Sequence, residues 1–247
     1  MLRARGVARR FGTHVALEPT DVDVNTGEAL ALIGPNGAGK STLLALLAGA
    51  LEPSAGTIER VDEVQVGWVP QATAFYDRLT GRENLELFAR LEGERDHAAV
   101  ADRLLVRFEI PADRPAHMLS VGNRQRLNVA LALLGGPRVL LLDEPTAALD
   151  PGQRRKLWET VAALRDEGGS VVFATQNLEE LDLYADRVAV LQRGQLTFVG
   201  RTDAQVNFEW GAKSPFKEAK AAPMRALELD LPAGDYRAEW IDRKSVV

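Results

Sequence analysis

Gly34-Pro35-Asn36-Gly37-Ala38-Gly39-Lys40-Ser41-Thr42 is the stretch on which the fold of this chain turns. An apolar run, Ala29-Leu30-Ala31-Leu32-Ile33, precedes it, and a leucine-rich segment over 43–50 follows. The order is buried strand, glycine-rich turn, helix. Its spacing fits G-x-x-x-x-G-K-[ST], a phosphate-binding loop. Glycines let the backbone curl until successive amide N–H groups point inward at phosphate oxygens, where a Cβ would obstruct them. A helix starting near Ser41 presents its unsatisfied N–H groups and the positive end of its dipole to the same anion. Lys40 adds a point charge toward the β- and γ-phosphates, and the Ser41 hydroxyl suits Mg²⁺. The fixed positions of the pattern match by chance in about one chain of this length in a hundred, and the flanking strand and helix reduce that further. The stretch implies a nucleoside-triphosphate site.

The chain has 247 residues, enough to bury a full core in one large or two small domains. Its composition, 46% hydrophobic and 26% charged, is that of a soluble globular protein. A net charge of −5 argues against a general nucleic-acid binder, which usually carries a basic face. With no cysteine, disulfides, thiolate metal sites and a cysteine nucleophile are excluded. Met1-Leu2-Arg3-Ala4-Arg5-Gly6 lacks the apolar core of a signal peptide, and no apolar run approaches the roughly 18 residues that span a bilayer. A membrane-spanning part, if the protein serves one, is expected on another chain.

Ahead of the loop, short apolar stretches alternate with polar turns and read as antiparallel strands, with Phe11-Gly12 in a turn after Arg9-Arg10. Beyond the first helix, 53–56 reads as a loop and 57–61 and 64–69 as strands, the second ending in Pro70-Gln71. From 72 to about 134 the sequence reads as helical. Thr80 with Glu83 makes a capping box, Gly93 ends that helix, and Val100, Leu104, Leu105 and Phe108 share one face of the next. Val139-Leu140-Leu141-Leu142 is the continuous apolar run of a strand covered on both faces, and it ends in Asp143-Glu144. Asp150 caps a helix with Pro151 at its first position and Gly168-Gly169 at its end. A buried strand over 170–174, a short helix over 178–185 and a hairpin turning at Arg193-Gly194 follow.

Together these residues resemble the nucleotide-binding subunit of an ATP-binding-cassette (ABC) transporter, over residues 1 to about 205. The resemblance implies an α/β P-loop domain with an antiparallel β subdomain and a helical subdomain inserted at about 72–134. It also implies ATP hydrolysis with Mg²⁺. In its terms Phe11 stacks on adenine, Gly34 to Thr42 cradle the phosphates, and Ser41, Gln71 and Asp143 serve the Mg²⁺. Glu144 polarises the attacking water, Gln71 touches it, and Gln176 reaches the γ-phosphate. Leu119-Ser120-Val121-Gly122-Asn123 looks like the signature LSGGQ, so Ser120 and the N–H of Gly122 contact the γ-phosphate of a second subunit. Ala148-Leu149-Asp150 resembles the loop crossing that dimer interface. The implied partners are a second copy or a paralogous ATPase subunit and a separate transmembrane permease, with the chain peripheral on the cytoplasmic side of the plasma membrane.

Taken singly, Phe11 reads equally as a surface aromatic, Gln71 and Gln176 as polar strand-end residues, and Ser120 as a helix cap. Paired acids straight after an apolar strand are harder to dismiss, because they are costly unless they meet a cation or solvent. Arg124 and Arg126 read as solvated helix charges. Val121 and Asn123 depart from the signature, and Gln176 stands where most of the family has histidine. Thr175-Gln176-Asn177-Leu178-Glu179-Glu180 is similar to ATPases of daunorubicin-type drug exporters, which favours export. A second reading, an ATP-gated dimerisation switch with weak hydrolysis, stays open on Gln176 and Val121. A soluble ABC protein acting on DNA or ribosomes is disfavoured by the acidic, cysteine-free single cassette. Beyond 205, residues 207–222 read as a polar linker. Leu227, Leu229 and Leu231, a turn at Pro232-Ala233-Gly234-Asp235, then Tyr236, Ala238 and Trp240 read as a β-hairpin.

Overall fold

The fold is described from a computed structural model, over residues 1–147 and 149–201 and, as backbone, 204–208, 225–226 and 238–242. Its centre is a sheet in the order β5-β6-β7-β3-β8-β9. These are β3 (Ala29–Ile33), β5 (Val66–Val69), β6 (Val139–Asp143), β7 (Ser170–Ala174), β8 (Arg187–Gln192) and β9 (Gln195–Arg201). All neighbours pair in parallel except β8 and β9, whose hairpin turns at Arg193-Gly194 as expected. Every residue of β3, β6 and β7 is buried, and their side chains alternate between two cores. Ala31, Leu140, Leu142 and Phe173 join the helices on one face, while Leu30, Leu32, Leu141 and Val172 join the first helix and the second sheet on the other. Burying each such leucine contributes about 1.5–3 kcal/mol over leaving it in water, which is why uninterrupted apolar runs settle in the middle of the sheet.

Helix α1 (Lys40–Ala48) packs on the second of these cores together with an antiparallel sheet in the order β2-β1-β4. Its strands are β1 (Leu2–Phe11), β2 (His14–Val24) and β4 (Ala55–Arg60). Here the sequence reading needs adjustment. Ala55 and Gly56 belong to the strand rather than the preceding loop. The next strand begins at Val66 rather than 64, because a turn with left-handed Asp62 and Glu63 intervenes.

The helices α2 (Gly81–Leu91), α3 (His97–Arg107) and α4 (Val121–Ala132) lie between β5 and β6, adjacent parallel strands, so the chain leaves the sheet and returns beside its point of departure. The capping box of Thr80 and Glu83 is present, and Val100, Leu104, Leu105 and Phe108 are buried together. Residues 72–80, expected helical, form no helix. The side chain of Asn84, wholly buried, donates to the carbonyls of Tyr76, Leu79 and Thr80 and accepts from the Tyr76 N–H, which replaces helical hydrogen bonding there. After β6, α5 (Pro151–Asp166) starts on the expected Asp150 cap, reinforced by Gln153. Its Trp158 meets Phe173 edge-on and stacks on Tyr184 at the end of α6 (Leu178–Tyr184).

A third sheet, β10-β12-β11, joins Ala204–Phe208 (β10), Ala238–Asp242 (β12) and Arg225–Ala226 (β11), all antiparallel. The linker expected over 207–222 thus begins within a strand. Of the expected hairpin, residues 227–236, which hold its leucine strand, its turn and Tyr236, lie outside the described residues, while Trp240 pairs with Arg225 on one side and Val206 on the other.

Candidate functional site

The carboxyl ends of β5, β6, β7 and β3, consecutive in the sheet, deliver the site residues to one edge. This is where open parallel sheets place ligands. Gln71 follows β5, Asp143-Glu144 close β6, Gln176 follows β7 and the glycine-rich loop follows β3. Gln71, Glu144 and Gln176 line a cleft of about 520 Å³ with Asn36 to Thr42 and with Phe11, His14 and Ala16 from the antiparallel sheet, while Asp143 is buried and does not line it.

The loop is shaped for close approach. At Gly34 a Cβ would run into the Leu191 carbonyl, and at Gly39, with φ 104, it would lie 2.8 Å from the Ala16 carbonyl oxygen. Gly39 caps α1 without a side chain, and no acidic residue sits in the first turn, so the helix's N-terminal amides and dipole face the cleft uncompensated. Lys40 is 5% exposed; its Nζ donates to the Gly34 and Pro35 carbonyls at 2.8 and 3.2 Å and lies 3.9 Å from Glu144 Oε1. Burial pushes its pKa down, opposed by Glu144 and Asp143.

Asp143 is 3% exposed, and burial pushes its carboxyl pKa up; a hydrogen bond with Ser41 opposes the shift, Glu144 adds to it and Lys40 counters it. Its Oδ1 is buried without a hydrogen-bond partner among the described residues. An unpartnered carboxylate oxygen beside a serine hydroxyl is a hard-oxygen donor pair of the kind Mg²⁺ takes. No cluster of three or more His, Cys, Asp or Glu suited to a metal occurs among the described residues. A cation here would complete its shell with water or phosphate.

Glu144 has left-handed backbone, φ 48, pinned by its N–H donating to the Ala174 carbonyl. For a non-glycine residue this costs about 1–2 kcal/mol, and such strain gathers at functional sites. Its Oε1 accepts from the Gln176 amide at 2.7 Å, and the same nitrogen donates to Asn36 Oδ1 at 2.8 Å. One neutral side chain therefore ties the acid after β6 to the phosphate loop.

Phe11, 46% exposed, ends β1, with the Arg9 guanidinium 4.6 Å from its ring centre. His14 was not anticipated. It is Phe11's cross-strand partner over a two-residue turn, and that turn, Gly12-Thr13, was the available signal, since opposite residues share a face.

Ser120 and Gly122 are not among the residues lining the cleft. Ser120 caps α4, accepting from the Asn123 N–H at 3.2 Å, so its own O–H remains able to donate. Gly122 packs against the Gln153 side chain on α5. Arg126 is not the solvated charge expected. It is 20% exposed and donates to the Phe108 and Glu109 carbonyls and to Asn123 Oδ1. Of the loop expected at the interface, Ala148 lies outside the described residues, while Leu149 O accepts from Arg154 Nε at 2.9 Å.

The family model described as ABC transporter matches residues 17–147. The chain is 40% identical over 213 residues to the daunorubicin resistance ATP-binding protein DrrA3 of Streptomyces coeruleorubidus, covering 80% of this chain and 67% of that protein. It is 38% identical over 216 residues to the Nod factor export ATP-binding protein I of Bradyrhizobium diazoefficiens, covering 82% and 71%. Among solved structures, the dimeric, ADP- and Pi-bound post-hydrolysis state of the ATP-binding cassette MJ0796 matches with TM-score 0.73 and 25% identity, over 81% of this chain and 98% of that one.

Proposed function

The chain belongs to the ABC transporter family as an ATP-hydrolysing subunit of the exporter type, and from that premise we propose how its residues divide the work. The observation that carries the reading is the Glu144 carboxylate, held by Gln176 at 2.7 Å and lying 3.9 Å from Lys40. ATP lies with its base on Phe11 and its phosphates in the loop from Gly34 to Thr42, countered by Lys40 and the N-terminus of α1. Glu144 takes the proton of a water whose oxygen bonds to the γ-phosphorus as the bridging P–O bond breaks, leaving ADP and inorganic phosphate. Gln71 orients that water. Gln176 fixes the carboxylate with one amide N–H and, by exchanging its Asn36 bond for the nucleotide, donates the other toward the γ-phosphate without adding charge. Ser41, Asp143 and Gln71 would hold Mg²⁺, which would supply neutralising charge to the phosphate oxygens.

The site is completed by a second copy or a paralogous ATPase subunit, whose Ser120 hydroxyl and Gly122 N–H reach the same γ-phosphate. Similarity to a dimeric cassette bound to ADP and Pi supports this. The names of the relatives, a drug-resistance and an export ATP-binding protein, support work on a separate transmembrane permease at the cytoplasmic face of the plasma membrane. No helix among the described residues is long and apolar enough to cross a membrane.

Steady-state turnover and fluorescent-ATP binding test the assignment. Glu144→Gln should lower kcat by about 10²–10⁴-fold, the worth of a positioned general base. Gln176→Ala should lower it by roughly ten- to a hundred-fold, the worth of a hydrogen bond to a charged group. Both should leave ATP affinity nearly unchanged, because most phosphate binding lies around Lys40. Full turnover in Glu144→Gln would remove Glu144 from the mechanism; full turnover in Gln176→Ala would return that residue to a polar strand end.

A further inference from the structure

Glutamate stands at a position where its backbone is strained and its side chain is used. Helix α3 ends in a Schellman motif, with Ile110 N–H donating to the Leu105 carbonyl and Glu109 N–H to that of Val106. Glu109 occupies the left-handed position, φ 50, that glycine or asparagine normally fills. Its carboxylate Oε2 accepts from Lys156 Nζ on α5 at 2.5 Å and from Arg126 Nη1 on α4 at 3.3 Å. The same Arg126 nitrogen also donates to the Phe108 and Glu109 carbonyls, and Nη2 donates to Asn123 Oδ1 at 2.6 Å. A cleft of about 300 Å³, lined by Phe108, Arg126 and Leu157 among others, separates the end of α3 and α4 from α5, and the carboxylate bridges it. Lys156 first, then Arg126, holds the Glu109 carboxyl below its usual pKa range.

We propose that Glu109 and Lys156 are positioning residues for the reaction: a strut that fixes the helical insert, and through Arg126 and Asn123 the Ser120–Gly122 segment, in the orientation that engages ATP on a second subunit. The insert already packs on the core through apolar residues such as Leu127 and Val129 and through Gly122 against Gln153, and the strut adds a directional charged contact between the end of α3 and α5. It acts by limiting the orientations of the insert before the subunits meet, so ATP-driven pairing costs less ordering. The inference rests on the split site proposed above.

ATP titrations of dimer formation, read by light scattering in a Glu144→Gln background, test it. At low salt, Glu109→Gly and Lys156→Gln should each raise the ATP concentration for half-maximal dimer roughly two- to five-fold, the worth of an exposed ion pair. Lys156→Arg should match the parent, and the differences should vanish near ~1 M salt, where the screening length is about 3 Å. Glu109→Gly relieves the left-handed strain, so its melting temperature should not fall, and ATP binding to dilute monomer should not change in any variant. A merely structural role would move stability instead. Identical titrations for all variants, tighter dimers, or weakening in one charge-removing variant but not the other would overturn the strut. A Glu144→Gln parent that binds ATP yet never dimerises would overturn the split site beneath it, a result distinguishable from the others.

Discussion

Asp143 illustrates how a residue can be held in a state the apo fold does not favour. Buried, with one oxygen unpartnered, it has its pKa pushed up, chiefly by lost hydration. A carboxyl whose folded pKa lies above its unfolded value contributes stability that is complete below the usual Asp range near 3.9 and is lost as pH rises through the folded pKa. At neutral pH the charged group is therefore a cost, and Asp143→Asn should stabilise the nucleotide-free protein. The gain is about 1 kcal/mol, the low end for relieving an unsatisfied buried group, because Lys40 loses one of its two compensating carboxylates. Thermal melts taken upward from about pH 4 should show the mutant's advantage growing as pH rises toward the raised folded pKa and holding level above it. A mutant that is less stable than wild type at pH 8 would contradict this account of Asp143.

Helix α4 separates two roles of one side chain. Ser120 caps the helix, and losing such a cap costs ~1 kcal/mol. Ser120→Ala should therefore lower both melting temperature and turnover. Ser120→Asp keeps a good cap and suits the helix dipole, but sets a carboxylate against a phosphate, so stability should hold while turnover collapses. Retained turnover in Ser120→Asp would leave Ser120 as a cap alone. At this scale the sequence was most legible where a signal is local: the capping residues Thr80 and Asp150, the Arg193-Gly194 turn, and the apolar runs of β3, β6 and β7. It was least legible where a polar side chain chooses a distant acceptor. Nothing near Asn84 says that it will take the carbonyls of Tyr76, Leu79 and Thr80 and keep 72–80 from becoming helix. Nothing near Arg126 says that it will close the end of α3 instead of facing water. The motif residues of the cleft could be read because each follows a strand, and parallel strands bring their ends together. His14 was missed because its place depends on strand register, although the short turn before it held the clue.

Across the whole molecule, the sheet order carries four of the site's segments to one edge, while Ser120 and Gly122 end up on the signature helix of the insert, away from that cleft. A catalytic unit built from two copies reconciles the two placements, each copy supplying what the other's cleft lacks. Mixing two inactive variants tests this most directly. Lys40→Ala disables the cleft and Ser120→Asp disables the signature, so neither alone should turn over ATP. In an equimolar mixture, half the dimers pair one of each, and each such dimer holds one cleft and one facing signature that are both intact. The mixture should then recover about a quarter of wild-type turnover, as expected for a symmetric pair with one of its two sites restored. A mixture as inactive as its components, with mixed dimers demonstrated by differential tagging, would contradict the split site.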